Sequence, residues 1–384
     1  MDAAIHIDSR LPDVGVSIFA VMTRLASEHR AINLSQGFPD FACDAALIAA
    51  VHDAMAAGHN QYAPMPGILA LRQALATKIS RLYGASYDPV TEITVTSGAT
   101  EALFDVISAF VRPGDDVIVF EPAYDAYVPV IRLNGGQPRF VTLRAPDYRI
   151  DWDEVRRLLS TRTRLLILNS PHNPTGAIIG SDDVSRLAAL LDGTDIVVLS
   201  DEVYEHIVFD GRRHESVAGH AELRKRSCVV SSFGKTYHTT GWKVGYVSAP
   251  ALLTAEIQRV HQFVTFATNT PIQMAYAAFT AHRERYDDLS TFYEGKRNRF
   301  LALLEGSRFT PVPCHGTYFQ ILDYSAISDD GDAEFAMRLL KAHGVASIPT
   351  SAFLYNSDAP RVLRFCFAKK DETLEAAAAR LRAV

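Results

Sequence analysis

The chain has 384 residues, 48% of them hydrophobic and 21% charged, with a formal net charge of −6. That length exceeds the size at which a single core usually stops growing, so two domains are expected. The mild negative balance, with Lys and Arg scattered, speaks against a partner such as nucleic acid or an anionic membrane. No apolar run approaches the length needed to span a bilayer. The four cysteines, Cys43, Cys228, Cys314 and Cys366, lie far apart with neither paired nor metal-ligand spacing. Free buried thiols in a reducing compartment are expected. The N-terminus carries acids and lacks an apolar signal segment, which points to the cytoplasm.

Residues 1–40 read as irregular, with Ile32-Asn33-Leu34-Ser35-Gln36-Gly37-Phe38-Pro39-Asp40 a short apolar run ending in turn chemistry. From Gly67 a helix is expected: Ile68, Leu71, Leu75, Ile79 and Leu82 fall at helical spacing, and Gly84 suits its C-cap. Apolar strands and helices then alternate. The expected strands are 93–96, 117–120, 140–143, 165–169, 196–200 and 228–230; helices are expected around 102–110, 153–160 and 182–191. Such alternation predicts an α/β fold, a mostly parallel sheet covered by helices on both faces. Residues 250–306 read as helical. From about 307 short strands (317–322, 362–367) mix with helices near 332–343 and 371–382, a smaller α+β domain. No internal repeat or low-complexity segment interrupts the chain.

Ligands of open α/β sheets sit beyond the carboxyl ends of the strands, and five strand ends here carry unusual residues. Ser97-Gly98-Ala99-Thr100 is a strand-to-helix turn whose N–H groups suit a phosphate. Glu121-Pro122-Ala123-Tyr124 offers Tyr124 to stack on a planar ring. Asn169-Ser170-Pro171-His172-Asn173-Pro174-Thr175-Gly176 is a stiff loop presenting Asn173. Asp201-Glu202-Val203-Tyr204 places a carboxylate at the end of a buried strand, which is costly unless it is paired. Ser231-Ser232-Phe233-Gly234-Lys235 sets Lys235 among small residues, where desolvation leaves a nucleophilic amine of the kind a Schiff-base lysine needs; Ser232 and Lys243 could hold a phosphate beside it. Each feature also has a structural explanation, as a turn, a cap or a core tyrosine. Together they supply what pyridoxal phosphate requires: an amine, an acid for the ring nitrogen, donors for the phenolic oxygen, an aromatic face and a phosphate cup. There is no GxGxxG and no P-loop.

Asn173-Pro174-Thr175-Gly176, then Asp201-Glu202-Val203-Tyr204, then Ser232-Phe233-Gly234-Lys235 in series resemble the class I aminotransferases, fold type I pyridoxal-phosphate enzymes. Within that family, Asn33 to Phe41, Asn60-Gln61-Tyr62-Ala63-Pro64-Met65 and Ser231 to His238 are similar to the bacterial methionine aminotransferases and to the kynurenine aminotransferase/glutamine transaminase K group. The resemblance covers essentially the whole chain. It implies a large cofactor domain over 46–285 and a small domain made of 1–45 with 286–384. It implies Lys235 as the cofactor-linked lysine and proton shuttle, Asp201 on the pyridine nitrogen, Tyr204 and Asn173 on the phenolic oxygen, and Tyr124 over the ring. Ala99, Thr100, Ser232 and Lys243 would bind the phosphate, with Tyr62 reaching the cofactor of the other subunit of a homodimer. Arg364 would clamp the substrate α-carboxylate, aided by Gly37 and Asn173, with Phe38 adding apolar surface near the entrance. Many relatives have arginine where Lys243 stands; lysine keeps the charge and loses the bidentate fork.

The implied reaction is ping-pong transfer of an amino group to a 2-oxo acid. A carbon–sulfur β-lyase would use the same lysine. A non-catalytic ligand-sensing relative would usually add a DNA-binding module, for which 384 residues leave no room. Relatives acting on dicarboxylic acids usually bring a second arginine from the partner subunit, about thirty residues past the lysine. Here residues 260–270 hold Phe263 and Phe266 and no arginine. A distal carboxylate there would be unpaired, so methionine and large neutral or aromatic donors are expected.

Overall fold

The computed structural model describes residues 7–356 and 359–384. The chain opens with α1 (Ile18–Glu28), β1 (Ile32–Asn33), α2 (Ala45–Ala56) and α3 (Leu69–Tyr83). Next come β2 (Ile93–Thr96), α4 (Gly98–Phe110), β3 (Asp116–Glu121), α5 (Tyr127–Leu133), β4 (Gln137–Thr142) and α6 (Trp152–Leu158). The alternation continues through β5 (Thr163–Asn169), α7 (Ser181–Leu191), β6 (Val197–Asp201), α8 (Ala221–Arg224), β7 (Ser227–Ser232), α9 (Phe233–Thr236) and β8 (Gly245–Ser248). Three helices follow, α10 (Ala251–Val264), α11 (Thr270–Thr280) and α12 (Leu289–Leu303). The rest is β9 (Thr310–Pro311), β10 (Phe319–Asp323), α13 (Asp332–Arg338), β11 (Val345–Ala346), β12 (Ile348–Pro349), β13 (Val362–Cys366) and α14 (Asp371–Leu381).

Seven strands make one sheet in the order β2-β8-β7-β6-β5-β3-β4. Pairing from β7 through β4 is parallel, and β8 runs antiparallel to both of its neighbours. The central strands are buried throughout, as strands covered on both faces must be. One face packs on α4 and α10 through Val106, Ile107 and Ile257; the other joins the large core that continues into the carboxyl-terminal part. There β12-β13-β10-β9 form a four-stranded antiparallel sheet, and β1 pairs with β11 in parallel. No helix among the described residues is long and apolar enough to cross a membrane.

The structure departs from the sequence reading in four places. The stretch read as irregular contains α1, capped by the Ser17 hydroxyl on the Phe19 N–H. Ile18, Met22 and Leu25 stand at helical spacing on one face, and Met22 and Ala26 are buried. Residues 1–6 of that stretch, with the expectation about a signal segment, lie outside the described residues. The last strand of the main sheet, β8, is antiparallel, a direction that an apolar run does not encode. Helix 332–343 is α13 extended by a π-helical turn, Leu339–His343, and stopped by left-handed Gly344. All four cysteines are free, but Cys43 is only partly buried. Gly84 caps α3 in the left-handed conformation at φ +65°, as its position predicts.

Beneath the loops that follow β6 and β7 lies a buried ion pair. Lys78 of α3 meets Glu205 at 2.8 Å, with the two side chains 5% and 4% exposed. The hydroxyls of Tyr83 and Ser231 donate to the same carboxylate. Removing one partner of such a pair strands a buried charge. Lys78→Ala is therefore expected to lower stability by about 3–5 kcal/mol. A fall in melting temperature of less than a degree in calorimetry would contradict this.

Candidate active site

A cavity of about 250 Å³ opens at the carboxyl ends of the main sheet. It is lined from β2–α4 by Gly98, Ala99 and Thr100, from β3 by Tyr124, from β5 by Asn169 and Asn173, from β6 by Asp201 and Tyr204, and from β7 by Ser232 and Lys235. Lys243, Gly37 and Arg364 complete it. The strand ends singled out in the sequence thus converge on one space. Parallel β3, β5, β6 and β7 all point their carboxyl ends the same way, which brings these loops together.

Asp201 is the last residue of β6 and 4% exposed. Its Oδ2 accepts the Tyr127 hydroxyl at 2.5 Å, and Oδ1 accepts the Val203 N–H at 3.3 Å. Burial raises the carboxyl to about 6 against those bonds. Asn169 locks the neighbouring loop: its amide donates to the Asp201 carbonyl at 2.9 Å, and its oxygen accepts the Asn173 N–H at 2.9 Å.

Lys235 reaches into the cavity from α9. Its Nζ donates to the Tyr318 hydroxyl at 2.9 Å and lies 3.3 Å from the Gly37 carbonyl, which Tyr318 also contacts. Burial, with Arg364 and Lys243 nearby, pulls the ammonium down to about 8. Gly37 has to be glycine, because a Cβ there would lie 2.7 Å from the Phe319 ring.

The turn from β2 into α4 leaves the N–H groups of Gly98, Ala99 and Thr100 without carbonyl partners in the helix. Gly98 is left-handed at φ +76°, and a Cβ on it would sit 3.3 Å from Lys243 Nζ. Gly245 admits this close approach, since its Cβ would lie 2.6 Å from the Ala99 nitrogen. The result is a cationic cradle of backbone donors.

Arg364, on β13, is 1% exposed. It donates to Asn173 Oδ1 at 2.8 Å and to the Ser35 carbonyl at 2.9 Å, and its guanidinium lies 3.9 Å from the Phe319 ring centre. No Asp or Glu among the described residues forms an ion pair with it, and its Nε has no partner. Burial lowers it to about 10, so it remains a cation.

Phe38 and Tyr62 do not line this cavity; Tyr62 is the residue expected to reach the other subunit's cofactor rather than its own. Phe38 is 42% exposed, and its ring packs under Lys369. Tyr62 is 85% exposed, outside the cavity, with its ring edge-on to Phe266. Tyr127 and Tyr318 were missed by sequence reasoning. Tyr127 sits three residues past Tyr124 at the start of α5, and that spacing was the available signal. Tyr318 precedes β10 with no distinguishing pattern.

The family model for aminotransferase class I and II matches residues 29–381. The chain is 51% identical to methionine aminotransferase of Escherichia coli over 97% of each chain. It is 38% identical to a probable N-succinyldiaminopimelate aminotransferase of Mycobacterium tuberculosis, again over 97% of each. The solved structure of YbdL from Escherichia coli, described as having a methionine aminotransferase function, superposes with a TM-score of 0.97 at 50% identity, covering 99% of this chain and 100% of that one. The chain therefore belongs to the class I and II aminotransferases, fold type I enzymes that use pyridoxal 5′-phosphate to transfer amino groups.

Proposed function

We propose that this aminotransferase takes methionine and other large neutral or aromatic amino acids as donors. Its amino group is passed to a 2-oxo acid in two successive half-reactions in the same cavity. The observation that carries the reading is Arg364, a buried cation with no acidic partner, in a cavity whose lining also includes Phe19, Leu103 and Phe319. It is also the only arginine among the described residues that line the cavity. One carboxylate is thus matched within the chain, and since residues 260–270, which would serve a partner copy, hold no arginine, a second one, as on aspartate, is left unpaired. The 51% identical relative bears the name of the same donor.

The residues fit pyridoxal 5′-phosphate. The cradle of Gly98, Ala99, Thr100, Ser232 and Lys243 suits its phosphate, Asp201 its ring nitrogen, Tyr124 its face, and Tyr204 and Asn173 its phenolic oxygen. When bound, the cofactor supplies a carbonyl for the amino group and a ring that withdraws electrons from the substrate Cα. Asp201, oriented by Tyr127, holds the proton on the ring nitrogen. Lys235, as the free amine, would take the proton from the substrate Cα and deliver it to the cofactor's C4′ on the same face. Arg364 and the amide of Asn173 orient the α-carboxylate, which fixes which Cα bond faces Lys235.

The same reading extends to organisation. Residues 46–285 form the large cofactor unit, which holds all seven strands of the main sheet; 1–45 with 286–384 form the small one, which holds the four-stranded sheet and the β1–β11 pair. Exposed Tyr62, Phe263 and Phe266 supply an apolar face for a second copy, through which Tyr62 would approach the partner's phosphate cradle. Phe263 and Phe266 are 86% and 48% exposed, which argues against a core-packing role. Free thiols, three of them buried, suit the cytoplasm.

Four measurements test this. Borohydride reduction and peptide mapping should place the cofactor on Lys235, and Lys235→Ala should abolish transamination; a label on another lysine removes the assignment. In cofactor-free protein, amine labelling of Lys235 should rise with pH around a midpoint of about 8, because burial disfavours the charged form. A midpoint above about 10, the value of an unperturbed lysine, would show a solvated amine. Asp201→Asn should cut turnover by about a hundred-fold or more while the protein still binds the cofactor. For substrate, kcat/KM for methionine should exceed that for aspartate by about a hundred-fold; aspartate as the better donor overturns the proposed preference.

A further inference from the structure

Behind the phosphate cradle, on the side away from the cavity, lies a buried charged cluster with no part in the chemistry above. His261, on the last turns of α10, is fully buried. Its Nδ1 lies 2.9 Å from Glu101 Oε1 and its Nε2 lies 3.0 Å from the Met65 carbonyl. Both partners only accept hydrogen bonds, so both ring nitrogens donate and the ring is an imidazolium. Asp105, one turn further along α4, places Oδ2 3.6 Å from Nδ1, and neither of its oxygens has a hydrogen-bond partner. Burial alone would pull the ring's pKa down, but Asp105 and Glu101 raise it to about 9.

The cluster touches two parts of the proposed site. The other oxygen of Glu101 accepts the Ser97 N–H, the residue that opens the cradle, and Glu101 directly follows Thr100. Met65 belongs to the 62–67 loop that begins with Tyr62, and the neighbouring Pro66 carbonyl accepts the Val95 N–H of β2 at 3.0 Å. The His261 carbonyl, in turn, accepts the N–H groups of Thr265 and Phe266, where α10 ends.

A problem of charge follows. Glu101 fixes the cradle's geometry, but its carboxylate stands one residue from groups meant to hold a phosphate dianion. Asp105 adds a second buried acid. At such distances and in poor solvent, like charges oppose binding appreciably. A cation placed between the acids and away from the cavity offsets them without competing for the phosphate.

We propose that His261 is a positioning residue: its imidazolium offsets one unit of the charge that Glu101 and Asp105 place behind the cradle and ties the cradle to the loop bearing Tyr62. The proposal rests on the cradle being the phosphate site. A divalent cation among the same three residues is the alternative; the 2.9 Å contact is a hydrogen-bond length that a shared proton accounts for.

The test compares two probes, pyridoxal 5′-phosphate and pyridoxal, by their dissociation constants from the cofactor-free protein. His261→Asn should weaken the phosphorylated probe by about ten-fold and pyridoxal by less than about two-fold. Adding Glu101→Gln to that variant should recover most of the loss, since the acid adjoining the cradle is then neutral and only Asp105, one turn further along α4, keeps its charge. Equal weakening of both probes would show a purely structural role and overturn the proposal, as would no weakening of either. Lys243→Ala tests the cradle itself. If it leaves the preference for the phosphorylated probe intact, the cradle reading fails. If it erases the preference and His261→Asn does not, only the proposal about His261 fails. Nitrogen NMR of selectively histidine-labelled native protein covers a variant that does not fold: His261 should be doubly protonated at neutral pH, and a neutral ring, or a tightly retained divalent metal, overturns the proposal.

Discussion

The guanidinium of Arg364 is buried without an acid. Taking such a cation out of water costs several kcal/mol even after relaxation. Partial compensation comes from three directions at once: Asn173 from the loop after β5, the Ser35 carbonyl from the amino-terminal segment, and the ring of Phe319 from β10. That requirement links parts of the chain that are remote in sequence. The main sheet, the amino-terminal segment and the four-stranded sheet must all be in place before this one side chain can be accommodated. The charge left over is what an incoming α-carboxylate would complete under the role proposed for Arg364.

The same logic, a buried charge surrounded by incomplete partners, recurs around the sheet. Asp201 is held by one phenol and one N–H, and Glu205 by a lysine and hydroxyls beneath the loops of Tyr204 and Lys235. The difference lies in what remains unsatisfied. Glu205 is saturated and serves to brace the loops. Asp201 and Arg364 retain capacity on the side facing the cavity, and Lys235 is drawn toward its neutral form there. Saturation thus separates the groups that hold the fold from those that meet a ligand.

Much of this was legible in the chain because continuous apolar strands followed by polar or small residues mark both the sheet and its ligand-facing ends. Lys235, Asp201, Asn173 and the Ser97–Thr100 turn were each found that way. What escaped depended on contacts between distant segments. Tyr318 is set on Lys235 by a strand more than eighty residues further on, and Tyr127 earns its place only from the position of Asp201. The direction of β8 was hidden because it depends on which strands flank it, whereas α1 was overlooked although Ser17 caps it and Ile18, Met22 and Leu25 fall at helical spacing. Phe38 looked well placed because it adjoins Gly37, yet the chain turns its ring outward under Lys369.

A cavity with a single carboxylate clamp has a thermodynamic corollary. Donor and acceptor each present one α-carboxylate, and under the role proposed for Arg364 both would use it in turn, so the protein would not grip one class and ignore the other. The bonds broken in one half-reaction are of the same kind as those made in the next. An enzyme so built accelerates exchange in both directions alike, and the net direction of nitrogen flow is set by the relative abundance of amino and oxo acids around it.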